Sequence, residues 1–91
     1  MGDGFIFYRW AFYLYYNLQY MKPRLYLKVG DLVRHIHYNS WGEGEVVEEK
    51  HSTLPGGICL VRILFADGVE RSFMNNLNNE SCCYYAGLRL V

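Results

Sequence analysis

The side chains best equipped for chemistry in this 91-residue chain are three cysteines, three histidines, a run of glutamates and a tryptophan beside two glycines. Cys59, Cys82 and Cys83 include one adjacent pair, but no C-x-x-C and no Cys/His spacing of the kind that holds zinc. Their odd number points to free, buried or half-buried thiols in a reducing cytosol. A redox or metal role for Cys82-Cys83 is the competing reading. His35 and His37 stand two apart on one strand face without a Cys, Asp or third His close by, and His51 lies outside that strand. They read as hydrogen-bonded structural histidines, not as metal ligands. Glu43, Glu45, Glu48 and Glu49 crowd one segment, yet paired glycosidase-like carboxylates need a cleft that a small barrel seldom supplies, so these read as a solvated hairpin face. No nucleophile–base pairing, phosphate loop or H-E-x-x-H occurs. The chain is therefore read as non-catalytic, with no cofactor and no metal.

What remains is the chemistry of recognition. Trp41 stands just before Gly42 and has two readings: an apolar plug for one barrel end, or an exposed anchor or cage wall of the kind that dominates recognition surfaces. Tyr38 and Phe65 would complete such a cage, with Phe65 also a candidate for the core. Arg34, Arg62 and Arg71 read as ordinary strand-surface charges, and the competing reading is fork-shaped contacts to carboxylates or phosphates.

These residues need a scaffold of short strands. The segment Val29–Val47 reads strand, tight turn, strand: glycines at 42 and 44 bracket one residue, allowing positive φ or a close backbone approach, and valines follow at once. Leu25–Val29 is a lead-in and Gly30-Asp31 a turn. Strands are expected over Leu32–Tyr38, Glu45–Lys50, Ile58–Phe65, Val69–Phe73 and Leu88–Val91, with Asp67-Gly68 marking a hairpin. His51–Gly57 carries loop signals, and Asn75–Glu80 reads as an asparagine-rich loop or short helical turn. Five short strands with tight turns specify a mainly all-β fold, a small SH3-like or Tudor-like barrel over residues 25–91. In the third strand Cys59, Val61, Ile63 and Phe65 share one face, and Ile58, Leu60, Arg62 and Leu64 the other. Both faces are mostly apolar, so a second layer is expected outside the barrel.

The nearest source of that layer is residues 1–24, an aromatic extension whose core reads FIFYRWAFYLYYNLQYM. The run is shorter than the roughly 20 apolar residues a spanning helix needs, is tyrosine-rich and carries Arg9, so no membrane span is expected. It lacks the features of a secretory signal. Its composition suits a segment docked on the barrel, a partner or a membrane interface, and deleting residues 1–20 is expected to promote self-association. Met21-Lys22-Pro23 would itself make a normal domain start, placing the preceding tract upstream of the true beginning.

Charge narrows the partner. Nine acidic and nine basic residues cancel, whereas proteins that hold nucleic acid through phosphates carry a basic excess. Lys22, Arg24, Lys28 and Arg34 precede the glutamate cluster, so two electrically distinct sides are expected.

The strings K-V-G-D-L-V-R-H and W-G-E-G-E-V-V, from Lys28 to Val47, resemble the Tudor-like C-terminal domain of UvrD/PcrA-type DNA helicases and small free-standing bacterial domains of the same pattern. Val61–Phe65, Asp67–Arg71 and Leu88–Val91 supply the later pieces, so the resemblance covers roughly residues 25–91. It implies a cytoplasmic protein-docking adaptor near transcription or DNA repair, with RNA polymerase as the partner, as in the related barrels of CarD- and RapA-type factors. Two positions depart from the pattern. Glu70-Arg71 stands where the helicase-type domain tends to carry a basic pair, and Asn75–Ala86 is longer than the family's ending. Arg34, Tyr38, Trp41, Arg62, Glu70 and Arg71 are the partner-binding candidates. A nucleic-acid-binding barrel is the alternative, and a small enzyme a distant third.

Overall fold

Leu60–Phe65, the segment with the strongest apolar content, shows how the chain is layered. In the computed structural model, which describes residues 24–54 and 56–91, Val61, Ile63 and Phe65 are no more than 2% exposed, while Leu60 and Leu64 on the other face are 37% and 41% exposed. One face therefore makes the core, and the other is half-open. The aromatic tract expected to cover it lies outside the described residues.

Five strands form one curled antiparallel sheet: β1 (Leu32–His35), β2 (Gly44–Lys50), β3 (Leu60–Phe65), β4 (Glu70–Met74) and β5 (Leu88–Leu90). Their spatial order is β4-β3-β2-β1-β5, so each pairing is antiparallel and β1 bridges the consecutive strands to the last one. This is the small all-β, barrel-like architecture expected from the sequence. β3 and β4 form the hairpin foreseen at Asp67-Gly68, with Leu64 opposite Glu70 and Arg62 opposite Ser72. Asp67 Oδ1 accepts the Val69 N–H at 3.0 Å, which holds the turn. A bulge between Val46 and Glu48 bends β2 against β3.

The two glycines of the Trp41 connection serve different needs. Gly42 has φ +75°, which a side chain tolerates poorly, and a Cβ there would sit 2.7 Å from the Ala66 Cβ. Gly44 has ordinary strand geometry, but a Cβ would lie 2.6 Å from Ile63 and 2.8 Å from Phe65. Both allow the connection to lie flat against the core.

The open side of the sheet is closed by two short pieces. The lead-in bridges Leu25 to Asn76 and drives Leu27 into the core, and a single-turn helix, α1 (Cys83–Ala86), brings Cys82 and Cys83 in from the other direction. Val33, Val46, Val61, Ile63, Phe65 and Leu88 complete the packed interior. At roughly 25 cal/mol per Å² of apolar burial, such side chains supply the main favourable term of a domain this small.

Several boundaries and roles differ from the sequence reading. β1 stops at His35 instead of Tyr38, because the chain bends at Ile36 and His37 and turns into a 3-10 helix, Asn39–Trp41. Ile36 is consequently 50% exposed, and His37 is exposed while His35 is buried. β3 starts at Leu60, leaving Ile58 exposed. α1 is not foreseen by the sequence pattern. The asparagines that open the expected loop are internal: Asn75 and Asn76 are 1% and 7% exposed. Asn75 Oδ1 accepts the Leu27 N–H at 2.8 Å and its Nδ2 donates to the Leu27 carbonyl at 2.9 Å, so the side chain completes a ladder the backbone cannot reach. Asn76 Oδ1 takes the Cys59 N–H at 2.8 Å. Within the glutamate run Glu48 pairs with Lys50 and Arg62 and Glu49 lies 3.4 Å from His51, while Glu43 and Glu45 are exposed.

Candidate functional site: an aromatic and arginine platform at the hairpin end

Trp41 closes the 3-10 turn, donating its N–H to the Tyr38 carbonyl at 3.0 Å. That turn is fastened to the tip of the β3–β4 hairpin. The Asp67 N–H donates to the Trp41 carbonyl at 3.2 Å, and the Ala66 N–H to the Glu43 carbonyl at 2.9 Å. Two loops distant in sequence therefore form one end of the sheet.

On this frame the side chains stack. The Tyr38 ring lies nearly parallel to Trp41, with centroids 4.5 Å apart and planes 12° apart. The Arg71 guanidinium lies 3.9 Å from the Trp41 ring centroid, and Asp67 holds it in a two-pronged pair, Nη2–Oδ2 at 2.9 Å and Nη1–Oδ1 at 3.3 Å. Phe65 presents its edge to Trp41 at 5.1 Å, and His35 does so at 5.0 Å. Trp41 thus packs on the core and meets the surface through Tyr38, which is 52% exposed. The packing matches the plug reading of Trp41. Phe65, at 2% exposure, belongs to the core, and the guanidinium of Arg71 stands where a cage would need open space beside Trp41.

Charge is tuned around the same cluster. The Arg71 hydrogen bonds hold the Asp67 carboxyl below the ordinary carboxylate range, with the Val69 amide helping. Burial lowers the His35 pKa, with His37 and Arg89 adding repulsion, so the ring is neutral. Its Nδ1 accepts the His37 N–H at 3.1 Å, which leaves the proton on Nε2.

The six candidate residues fall into three groups. Tyr38, Trp41 and Arg71 meet at the hairpin end. Arg62 and Glu70 meet on the outer face, Nη1–Oε2 at 2.6 Å, with Glu48 3.4 Å from the same guanidinium. Arg34 stands apart on β1, exposed and directly opposite Arg89 on β5. Arg89 stacks over Tyr84 at 4.2 Å and donates to the Leu88 carbonyl, and among the described residues neither of these two arginines forms an ion pair. Sequence reasoning missed Asp67 as the clamp, although an Asp four residues before an Arg across a hairpin tip is a readable signal. It also missed His35 as a wall of the Trp41 cluster.

The cysteines are all free and buried, and burial together with the neighbouring Cys82 pushes the Cys83 thiol up to about 12. Such a thiol is a poor nucleophile and metal ligand. Among the described residues no group of three or more His, Cys, Asp or Glu is placed to hold a metal, and no helix is long and apolar enough to cross a membrane. No family model matches the chain, and neither a curated protein nor a solved structure matches it.

Proposed function

We propose that this domain is a non-catalytic docking module whose contact surface is the Tyr38–Trp41–Arg71 platform. The observation that carries this reading is the Asp67 clamp: it fixes a guanidinium over an indole while Tyr38 stays half-exposed beside them. Tryptophan, tyrosine and arginine are the residues that dominate interface energetics, and a surface ordered before binding loses less entropy when it docks. The resemblance of Lys28–Val47 to the helicase-tail Tudor-like domain supports a cytoplasmic adaptor working near transcription or DNA repair, with RNA polymerase as the protein partner. Nothing in this reading calls for a cofactor.

The second reading, a nucleic-acid-binding barrel, is favoured by one observation, the juxtaposition of Arg34 and Arg89, neither in an ion pair among the described residues. Affinity capture from a bacterial lysate with and without nuclease separates the two. Polymerase recovered after nuclease treatment supports docking. Recovery that vanishes with nuclease, and binding to DNA or RNA with a steep salt dependence, supports the second reading and overturns the first.

A further inference from the structure

The sheet has two edges, and they are treated differently. At β5 the Tyr26 hydroxyl donates to the Leu88 carbonyl at 3.1 Å. That edge is capped by a side chain of its own domain. β4 pairs only with β3, and among the described residues nothing pairs with its other side.

The direction of the unpaired groups follows from the ladder. The Val69 carbonyl accepts the Phe65 N–H and the Asn75 N–H donates to the Cys59 carbonyl, so both of these groups point at β3. In an antiparallel ladder alternate residues share a direction, so the backbone groups of Arg71 and Phe73 also face β3. Those of Glu70, Ser72 and Met74 face away from it. Glu70 and Ser72 are exposed, so this row of donors and acceptors is open to another strand.

Natural proteins defend such an edge with lysine, proline, a bulge or an unpaired charge. β4 has none of these. Its two charged side chains are neutralised within the domain, Glu70 by Arg62 at 2.6 Å and Arg71 by Asp67 at 2.9 Å, and the bulge of the sheet lies in β2. The chain also carries no net charge to hold copies apart.

We propose that β4 is a self-association edge, pairing antiparallel with β4 of a second copy about a two-fold axis at Ser72. The sequence of the strand is complementary to itself in that register. Ser72 meets Ser72 of the other copy, and this small residue brings neither bulk nor charge to the axis. Glu70 faces Met74 and Arg71 faces Phe73, so no like charges oppose and each guanidinium gains an aromatic neighbour. All three outward-facing residues of each strand find backbone partners, and two five-stranded sheets become one. The pairing rests on backbone groups, and it sets Arg71, whose guanidinium stacks on Trp41, beside the seam.

The test uses the full chain and a cysteine placed on the axis. All three native cysteines are buried, so Ser72→Cys adds the accessible thiol. Across the two-fold axis its Cα atoms would be about 5.5 Å apart, within disulfide range. Glu70→Cys is the register control, because its two copies would be offset by four residues, about 13 Å. The expected result is a concentration-dependent dimer in sedimentation equilibrium, disulfide-linked on mild oxidation for Ser72→Cys and not for Glu70→Cys. Ser72→Glu keeps the monomer fold, since the new carboxylate lies cross-strand from Arg62, and it should weaken the dimer by about tenfold or more by opposing two carboxylates. A wild-type chain that stays monomeric into the millimolar range overturns the proposal. So does a dimer that Ser72→Glu leaves intact, which would place the interface elsewhere, and so does equal cross-linking of the two cysteine variants.

Discussion

The asparagine pair at the end of β4 and the arginine platform at its start are both polar groups set into an apolar domain, yet they face opposite ways. Asn75 spends both ends of its amide on the Leu27 backbone and is 1% exposed. Arg71 is just as firmly held, by Asp67, but its order is presented at the surface beside a half-exposed tyrosine. The first arrangement closes the molecule, and nothing is left for a ligand. The second leaves an ordered surface that the fold itself does not consume, and the proposed docking role rests on that difference.

Substitutions that separate structure from recognition sharpen this contrast. Asn75→Ala should be the most damaging, because it strands the buried Leu27 N–H and carbonyl together. A loss of about 3 kcal/mol is expected in urea unfolding, at two unsatisfied groups of roughly 1–3 kcal/mol each. Trp41→Ala should cost about 2 kcal/mol, less than a fully buried aromatic, and should also abolish docking. If Trp41→Ala proved more damaging than Asn75→Ala, the platform would have to be regarded as core.

The third effect is one of pH. The His35 pKa is lower in the folded state than in the unfolded chain, so the unfolded chain binds the proton first as pH falls. The contribution is complete above about pH 6.5 and is lost as pH drops below it. Urea midpoints measured from pH 7.5 to 5 should therefore fall, and His35→Asn should flatten the slope. The clamped Asp67 acts in the same sense only at lower pH, below about 4. An unchanged slope in His35→Asn would remove His35 from the account.

Part of the fold is legible in the sequence. The Asp67-Gly68 hairpin, the need for Gly42 and Gly44, and the inward face Val61-Ile63-Phe65 all follow from local rules of turn chemistry and strand alternation. The parity of Val33 and His35 also carries the burial of that histidine. Ile36 obscured it, because an apolar residue out of phase suggested a longer strand. The asparagines were illegible for a different reason. Asn-Asn reads as loop by composition, and only the approach of Leu27, 48 residues away in sequence, makes the amide part of a ladder. α1 has four residues, too few to show a helical period. Of the site, the residue types could be named, but the meeting of Tyr38 and Trp41 with Arg71 needs a hairpin tip hydrogen-bonded to a 3-10 turn, a tertiary contact.

The smallest effect on stability belongs to Tyr38→Ala, which is expected to cost about 1 kcal/mol or less because the ring is half in solvent. The same substitution is the most direct test of the docking surface. Titration of purified, nucleic-acid-free bacterial RNA polymerase with the full chain should show saturable binding that weakens about tenfold or more in Tyr38→Ala, with the urea midpoint nearly unmoved. Equal affinity for wild type and variant, or no binding by either, would contradict the assignment of the Tyr38–Trp41–Arg71 platform as the surface that docks.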